Sequence, residues 1–331
     1  MKRTALGVLN GNGIQQAGLG GFKKAQKPKV AADDDMTMMS ISLDMQAEAK
    51  SSSIPAGVPD IDADRSDAQT CGTYAPDIHK YMLGLEAKWQ PNPGYMAQHT
   101  GKITQKMRGV LIDWLVEVHY RFDLLQETMF LTTILIDRYL SKASVEKKKL
   151  QLVGVTAMLI ASKYEEMWPP EVNDFVYMTD NAYTKEEIIR MEGAMLSTLE
   201  YALGNPLPTQ FIQRYTKATG ANTDTVRVAG YIMELSITSY DMVSYKQSTL
   251  AASALVLAGQ ITGQSCYSDS LQHYSTYSFD QLTPCMKALQ GQLKASVEPD
   301  ATLKAIRKKH SKTKFHSTSQ RDDVVKYIAA L

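Results

Sequence analysis

Apolar residues in the middle of the chain recur at the spacing of a helix. Over residues 107–118 they fall three and four positions apart, which predicts an amphipathic helix with one apolar face. A second pattern of this kind covers about 126–140. Residues 150–164 are apolar nearly all round and rich in small residues, as is typical of a helix that its neighbours enclose on every side.

Local signals mark where further helices begin and end. The proline pair at 169–170 cannot continue the enclosed helix, so we expect the chain to leave it just before these residues. Thr184, followed three residues later by Glu187, has the sequence of a capping box and predicts a helix over about 185–200. Because strand-like alternation of useful length is missing from the sequence, the body is predicted to be all-α.

The second half of the chain repeats the pattern of the first more weakly. The apolar run 249–261 corresponds to residues 150–163, and residues 279–293 correspond to residues 187–203. The sequence GNPLP, which is rich in Gly and Pro, lies between the two parts. Together these features predict two similar helical domains in tandem.

The first 73 residues differ in composition from the rest. Phe22 is their one aromatic residue, although the chain contains 7 Phe, 17 Tyr and 3 Trp. They also hold several glycines, the serine run 51–53, and a basic block followed by an acidic one. Such a segment lacks the apolar material for a core, so we expect residues 1–73 to form a disordered tail.

Charge and composition exclude several classes of protein. With 36 Lys+Arg against 35 Asp+Glu, the formal net charge is +1, which argues against a polybasic binder of nucleic acid or membrane surfaces. The three cysteines form no CxxC pair and the histidines lack ligand spacing, so we expect reduced thiols and neither a metal nor a cofactor. We also expect no membrane span, because no apolar stretch reaches roughly 20 residues, and no secretory signal.

Several motifs along the body resemble one family. The sequence MRGVLIDWLVEVHYRF at 107–122, the motifs LLQETM, ASKYEEM and TDNAYTK after it, and MELSITSYDMV in the second half are similar to the cyclin box of B-type mitotic cyclins. The resemblance covers roughly residues 74–310 and implies two five-helix domains preceded by a short helix at 74–85. The expected division of the chain is a tail at 1–73, the short helix and first cyclin box at 74–203, the second cyclin box at 204–310, and a C-terminal extension at 311–331.

The resemblance implies a regulatory subunit rather than an enzyme. A cyclin supplies no catalytic residue of its own; it binds a cyclin-dependent kinase and stabilises the active arrangement of the kinase's Lys–Glu ion pair, which is a shift of population. The positions that correspond to the family's kinase-facing residues are Tyr74, Ile78, Tyr81, Leu111, Lys163, Glu192, Leu196 and Tyr201.

Arg108 and Asp137 correspond to further signature residues of the family. Both charges fall on apolar helices, where an unpaired charge is costly. We therefore expect them to pair and to join the first helix of the box to the second, in a structural role.

The resemblance also implies a groove that binds substrates and inhibitors through Arg-x-Leu sequences. A leucine anchor suits an apolar slot, and a carboxylate suits the arginine. We expect Glu117 to meet that arginine. The groove positions are Met107, Val110, Leu111, Trp114, Glu117, Leu150 and Gln151.

The N-terminus carries a motif that resembles the destruction box of mitotic cyclins. Arg3, Leu6 and Leu9 match its core, whereas Gly11 stands where the family often has asparagine. The motif implies recognition by the ubiquitin-ligase machinery of mitotic exit. A protein of this kind is expected in both the cytoplasm and the nucleus, depending on the cell cycle.

The residues leave a second function open. Tandem cyclin-like repeats also occur in general transcription factors, so binding to nucleic acid or to a transcription complex is the alternative. Those proteins carry a zinc ribbon and a basic repeat surface, and neither is visible in this sequence. The basic stretch 304–314 suits nuclear import or phosphate binding, although such a stretch more often forms a solvated helix end.

Overall fold

The computed structural model describes residues 54–64, 71–99, 103–299 and 301–331, and within these ranges the regular structure is helical throughout. The first described helix, α1 (Ala75–Trp89), has a proline in its first turn, where the missing N–H costs nothing. A 3₁₀ turn at Tyr95–His99 follows it. The all-α prediction is confirmed, and the predicted leading helix ends a turn later than expected.

The first domain consists of five helices arranged around α4. They are α2 (Gln105–Phe122), α3 (Gln126–Lys142), α4 (Leu150–Glu165), α5 (Val172–Met178) and α6 (Lys185–Thr198). Helix α4 packs against both α3 and α6, and most of its residues are buried, as its apolar sequence predicts. Gly154 permits a close approach of α2, because a Cβ there would lie 2.8 Å from the Leu111 Cδ1 atom.

Caps explain two of the helix starts in this domain. Thr184 and Glu187 form the predicted capping box of α6, with each side chain bonded to the other's backbone N–H. Sequence reasoning missed α5, which has seven residues. Its own signal was a capping box formed by Glu171 and Asp174.

The second domain repeats this arrangement around α9. Its helices are α7 (Pro208–Thr219), α8 (Thr223–Ser236), α9 (Gln247–Thr262), α10 (Asp269–Ser275) and α11 (Phe279–Ala295). Helix α9 packs against α7, α8 and α11, and its small apolar residues are buried. The two tandem helical domains predicted from the weak repeat are therefore present, and each has the five helices that the resemblance implies.

Two short helices follow the second domain and pack on the body. Helix α12 (Ala305–His310) lies against α2 and α8, and α13 (Asp322–Ala329) lies against α9 and α11. Val324 and Ile328 of α13 are buried. The expected extension at 311–331 thus contributes to the core of the second domain.

Residues 54–64 correct the expectation of a tail over the whole of 1–73. Ile61 is buried against Tyr274, whose hydroxyl accepts a hydrogen bond from the Ile61 backbone N–H at 3.2 Å. Asp62 accepts two hydrogen bonds from the Arg214 guanidinium, at 2.9 and 2.6 Å. The segment has no aromatic residue of its own but packs against an aromatic ring of the second domain, which its composition could not reveal.

Candidate functional site

Arg108 and Asp137 form the predicted ion pair between α2 and α3. The Arg108 Nε and Nη2 atoms donate to the two carboxylate oxygens of Asp137, each at 2.6 Å. The Tyr95 hydroxyl donates a third hydrogen bond to this carboxylate, at 2.8 Å. Both partners are at least nine-tenths buried, so the pair stabilises the body and is not available to a binding partner.

The same guanidinium also reaches the second domain, which sequence reasoning did not predict. The Arg108 Nη1 atom donates to the carbonyl of Ile237, the residue that follows α8, at 3.0 Å. Burial acts to lower the pKa of Arg108, but Asp137 outweighs it and raises the pKa above its usual value. Arg108 is therefore a permanent cation that links three structural elements.

One face of α1 is exposed while the other is fixed to the second domain. Tyr74, just before the helix, and Ile78 and Tyr81 within it are 66%, 47% and 66% exposed. On the opposite face, Glu86 accepts hydrogen bonds from the N–H and hydroxyl of Ser248, at 3.0 and 2.6 Å. Burial raises the pKa of Glu86, and the bonds from Ser248 oppose this shift. The three apolar side chains thus form an outward strip on a well-anchored helix.

Lys163 and Glu192 pair with each other at the surface of the first domain. The Lys163 Nζ atom at the end of α4 lies 2.7 Å from Glu192 Oε1 on α6. The side chains are 46% and 16% exposed. Leu196, one turn further along α6, is half-buried, and Tyr201 beyond that helix is 70% exposed. The structure therefore brings together four of the predicted kinase-facing positions on one side of α6.

Arg138 connects the segment that holds Tyr201 to the end of α1. Its Nη1 atom donates to the carbonyl of Ala202 at 2.6 Å, and its guanidinium lies 5.6 Å from the centre of the Trp89 ring. Tyr201 itself has a left-handed backbone, with φ of 56°. These contacts fix the position from which the Tyr201 ring projects.

Sequence reasoning missed several exposed apolar side chains near Lys163 and Glu192. Tyr164, next to Lys163, is 54% exposed, and Ile189, three residues before Glu192, is 45% exposed. Met167 and Trp168, in the loop before the proline pair, are each 87% exposed. Exposed large side chains grouped in this way are typical of a protein-binding surface. The sequence signal for this surface was the apolar pair Met167 and Trp168, which stands in a loop just before two prolines.

Leu111 does not have the exposure expected of a kinase contact. It is 6% exposed and packs against Gly154 of α4. The contact is possible because glycine leaves room for the leucine side chain. In the isolated chain Leu111 therefore forms part of the base beneath the expected groove, and its contact with a kinase stays a prediction.

The other groove positions form a stripe along α2 and the start of α4. Val110 is 49% exposed, Met107 and Trp114 are half-buried, and Glu117 is exposed at the far end. From α4, Gln151 is half-buried and Leu150 is buried at 5% exposure. Apolar side chains therefore line a shallow surface that ends at a carboxylate.

The basic stretch 304–314 is not simply a solvated helix end. Lys309 and His310 are buried and both contact the carboxylate of Glu234 on α8, whereas Lys308 is exposed. Burial acts to raise the pKa of Glu234, but Lys309 and His310 outweigh it and hold the pKa well below its usual range. Part of the stretch therefore stabilises the core.

The described part of the chain contains no cluster of three or more His, Cys, Asp or Glu side chains suited to a metal ion. Within the same ranges, every helix is too short or too polar to cross a membrane. The motif at Arg3, Leu6 and Leu9 lies outside the described residues.

Comparison with known proteins identifies the family. The model of the cyclin N-terminal domain matches residues 77–204, and that of the cyclin C-terminal domain matches residues 206–323. The G2/mitotic-specific cyclin-B of Marthasterias glacialis is 45% identical over 296 residues, which are 89% of this chain and 75% of the relative. The chain belongs to the B-type cyclins. Its family identifies it as a regulatory subunit and not itself an enzyme.

Other relatives agree with this assignment to the B-type cyclins. The G2/mitotic-specific cyclin-B2 of Oryzias javanicus is 39% identical and the match covers 96% of this chain and 87% of the relative. Among solved structures, a viral cyclin from herpesvirus saimiri has a TM-score of 0.59 and 20% identity, and the match covers 65% of this chain and 96% of the viral one. That likeness concerns the fold. The transcription-factor-like alternative gains no support from these relatives.

Proposed function

We propose that this B-type cyclin binds and activates a mitotic cyclin-dependent kinase through the face formed by the α1 strip, Lys163, Glu192, Leu196 and Tyr201. The observation that carries the proposal is the surface ion pair of Lys163 and Glu192, which lies among exposed apolar side chains. A surface charge pair surrounded by exposed apolar side chains becomes buried when a partner covers it, and such an arrangement is common near the centre of protein interfaces.

The chemistry of the pair suits a partner that offers backbone groups. The Lys163 ammonium has three N–H donors and uses one on Glu192 at 2.7 Å, so two remain for carbonyl oxygens of the kinase. The Glu192 carboxylate likewise has lone pairs left over, which can accept hydrogen bonds from backbone N–H groups of the kinase. Because the two charges already neutralise each other, covering them costs less than covering either alone.

Activation follows if these contacts form better with one kinase conformation. A ligand shifts an equilibrium only by the difference between its affinities for the two states. Glu86 anchors α1 on the second domain, and Arg138 of the first domain holds both Trp89 of α1 and the Tyr201 segment. The cyclin therefore presents a preformed template, and the kinase adapts to it. The kinase keeps all of the catalytic groups, and the cyclin stabilises their active arrangement.

Kinase activation by purified protein tests this proposal. We expect Glu192→Ala to lower the stimulation of histone phosphorylation at least tenfold, because it leaves Lys163 without its carboxylate. Asp224→Ala is the matched control, since it removes a carboxylate paired with Arg227 at 3.1 Å on the second domain. Parent-like stimulation by Glu192→Ala, or equal loss in both variants, would contradict the proposal.

The partly exposed stripe of Met107, Val110, Trp114 and Glu117 supports a second part of the proposal, the docking of Arg-x-Leu substrates and inhibitors. Val110 and Trp114 offer apolar surface to the leucine, and Glu117 offers a carboxylate to the arginine. Docking of this kind raises the local concentration of a substrate near the kinase without changing the chemistry of phosphoryl transfer.

We further propose that Arg3, Leu6 and Leu9 form a destruction box through which ubiquitination removes the protein at mitotic exit. The support is the match of these residue types to the motif in a B-type cyclin. We also propose that the protein occurs in the cytoplasm and the nucleus, which imaging of a fluorescent fusion through the cell cycle tests.

A further inference from the structure

Helix α12 lies beside the groove and brings basic side chains to its end. Asp113 of α2 accepts a hydrogen bond from the backbone N–H of Ala305, the first residue of α12, at 2.9 Å. Gly109, one turn earlier, allows Leu303 to approach, because a Cβ there would lie 3.2 Å from the Leu303 Cδ1 atom. The position of α12 relative to the groove is therefore fixed by contacts on both sides of its start.

Helical geometry places the groove and α12 on adjoining faces of α2. At about 100° per residue, Val110 and Glu117 fall within about 20° of each other, roughly 10 Å apart along the axis. Trp114 lies to the side of this line that faces α4. Asp113 and Tyr120 lie to the other side, towards α12. Glu117 therefore lies where the groove along α2 adjoins the side chains of α12.

A cavity of about 240 Å³ lies at this junction. Its volume is enough for a carboxylate or a phosphate group with several waters. The residues that line it come from α2, from α12 and from the turn after α12. They are Val116, Glu117, Tyr120, Ala305, Lys308, Lys309 and Lys312.

Two of the lysines in this cavity keep their donors available. Lys309 is engaged by Glu234, at 2.9 Å from both carboxylate oxygens. The Lys308 Nζ atom, in contrast, lies 3.9 Å from Glu117 Oε1, which is beyond hydrogen-bond distance. The Lys312 Nζ atom lies 3.5 Å from the centre of the Tyr120 ring, a cation–π contact that holds the ammonium at the cavity.

An arginine bound to Glu117 would change the charge balance of the cavity. The bidentate bond that a guanidinium makes to a carboxylate is stronger than the long contact that Lys308 makes now. The ammonium groups of Lys308 and Lys312 would then have no free carboxylate beside them, because the arginine occupies Glu117. A negative group on the same peptide restores the balance, whereas a basic neighbour would be repelled.

We propose that this cavity binds an acidic side chain, carboxylate or phosphate, that lies one to three residues before the arginine of a docked Arg-x-Leu peptide. The position follows from the groove: the leucine lies towards Val110, the arginine at Glu117, and the cavity beyond it. The proposal rests on the docking function above and adds a preference among Arg-x-Leu partners for those with an acidic or phosphorylated flank.

Fluorescence anisotropy with the full chain and four labelled peptides tests the proposal. The peptides share one Arg-x-Leu core and carry Asp, phosphoserine, Ser or Lys two residues before the arginine. At moderate ionic strength we expect the Asp peptide to bind about three- to tenfold more tightly than the Ser peptide, the phosphoserine peptide to bind more tightly still, and the Lys peptide to bind most weakly.

The decisive variant is Lys308→Gln with Lys312→Gln, which removes the two lysine charges that are available to a ligand in the cavity. It should reduce the ratio of Asp to Ser affinity to below about twofold, while the Ser peptide still binds because Glu117 and the apolar stripe are unchanged. Lys326→Gln, an exposed lysine on α13, is the matched control and should keep the parent ratio.

The outcomes separate this proposal from the docking function beneath it. If the Ser peptide binds but the Asp and phosphoserine peptides bind no better, docking stands and the acidic site is overturned. A preference that survives the double variant also overturns the site, because the charges then lie elsewhere. If no Arg-x-Leu peptide binds the parent protein, both ideas fail.

Discussion

Lys309 donates to both carboxylate oxygens of Glu234, each at 2.9 Å, and the two residues are only 4% and 2% exposed. Gln126 donates to the same carboxylate at 2.9 Å, and the His310 Nε2 atom lies 3.0 Å from it. The cluster therefore joins the start of α3, the last turn of α8 and helix α12. It links the first domain to the second through a fully bonded buried anion.

Breaking this pair should destabilise the protein strongly. Glu234→Gln leaves the Lys309 ammonium buried without a counter-charge, and we expect a loss of about 3–5 kcal/mol in the free energy of unfolding. Urea unfolding followed by circular dichroism measures it. Because an apolar pair of similar size avoids the unpaired charge, Glu234→Leu with Lys309→Met should recover most of the loss. A double variant no more stable than Glu234→Gln would contradict this account.

Stability should fall as the pH drops below 6.5 because of His119. Its Nε2 atom donates to the carbonyl of Leu125 at 2.8 Å, and burial, with a smaller effect from Lys309, lowers its pKa to about 4. Between pH 6.5 and 4 the unfolded chain protonates this ring while the folded chain does not, so unfolding becomes more favourable. From pH 6.5 to 5 we expect His119 to remove about 1.5 kcal/mol of stability.

A comparison of unfolding curves at several pH values isolates this effect. His119→Gln removes the titrating ring, so its free energy of unfolding should change less between pH 6.5 and 5 than that of the parent. His316→Asn changes an exposed histidine and should keep the parent slope. Equal slopes for the parent and His119→Gln would show that His119 does not carry the dependence.

The sequence predicts helices that are decided by local pattern. Helix α4 was predictable because an apolar, small-residue run of that length fits only an enclosed position, and α6 because its capping box is local. The packing of residues 54–64 was not predictable, since the partner of Ile61 is Tyr274, 213 positions away. Burial of Lys309 likewise depends on Glu234, 75 positions earlier. A basic run gives no sign of which lysine a distant carboxylate will bind.

The candidate site also has features that the sequence predicts and features that it does not. The pairing of Arg108 and Asp137 was predictable, because two charges on apolar helix faces need each other. The burial of Leu111 was not, because periodicity shows which face of a helix is apolar but not where that face stops being covered. Gly154 decides this by letting α4 approach. The link from Arg108 to Ile237 needed the packing of the two domains, which no local pattern records.

The motif near the N-terminus should control the lifetime of the protein. Replacing Arg3 and Leu6 by Ala removes the two side chains that define it, so we expect the variant to persist through mitotic exit while the parent decays. Immunoblotting of synchronised cells after release measures both half-lives. Lys23→Arg with Lys24→Arg should leave the half-life near that of the parent, because Lys27 and Lys29 remain as acceptors. Equal decay of parent and motif variant would remove the destruction box from the proposed function.

Val110 offers a test of the groove that leaves the core intact. It is 49% exposed on the docking stripe, so Val110→Ser removes apolar contact with a bound leucine at little cost in stability. We expect a five- to tenfold weaker affinity for Arg-x-Leu peptides, since burying a branched side chain contributes about 1–2 kcal/mol to binding. Phosphorylation of short substrates without the sequence should be unchanged. Val325→Ser, which changes a valine of similar exposure on α13, is the matched control. Loss of activity on both kinds of substrate would indicate damage to kinase binding rather than to docking.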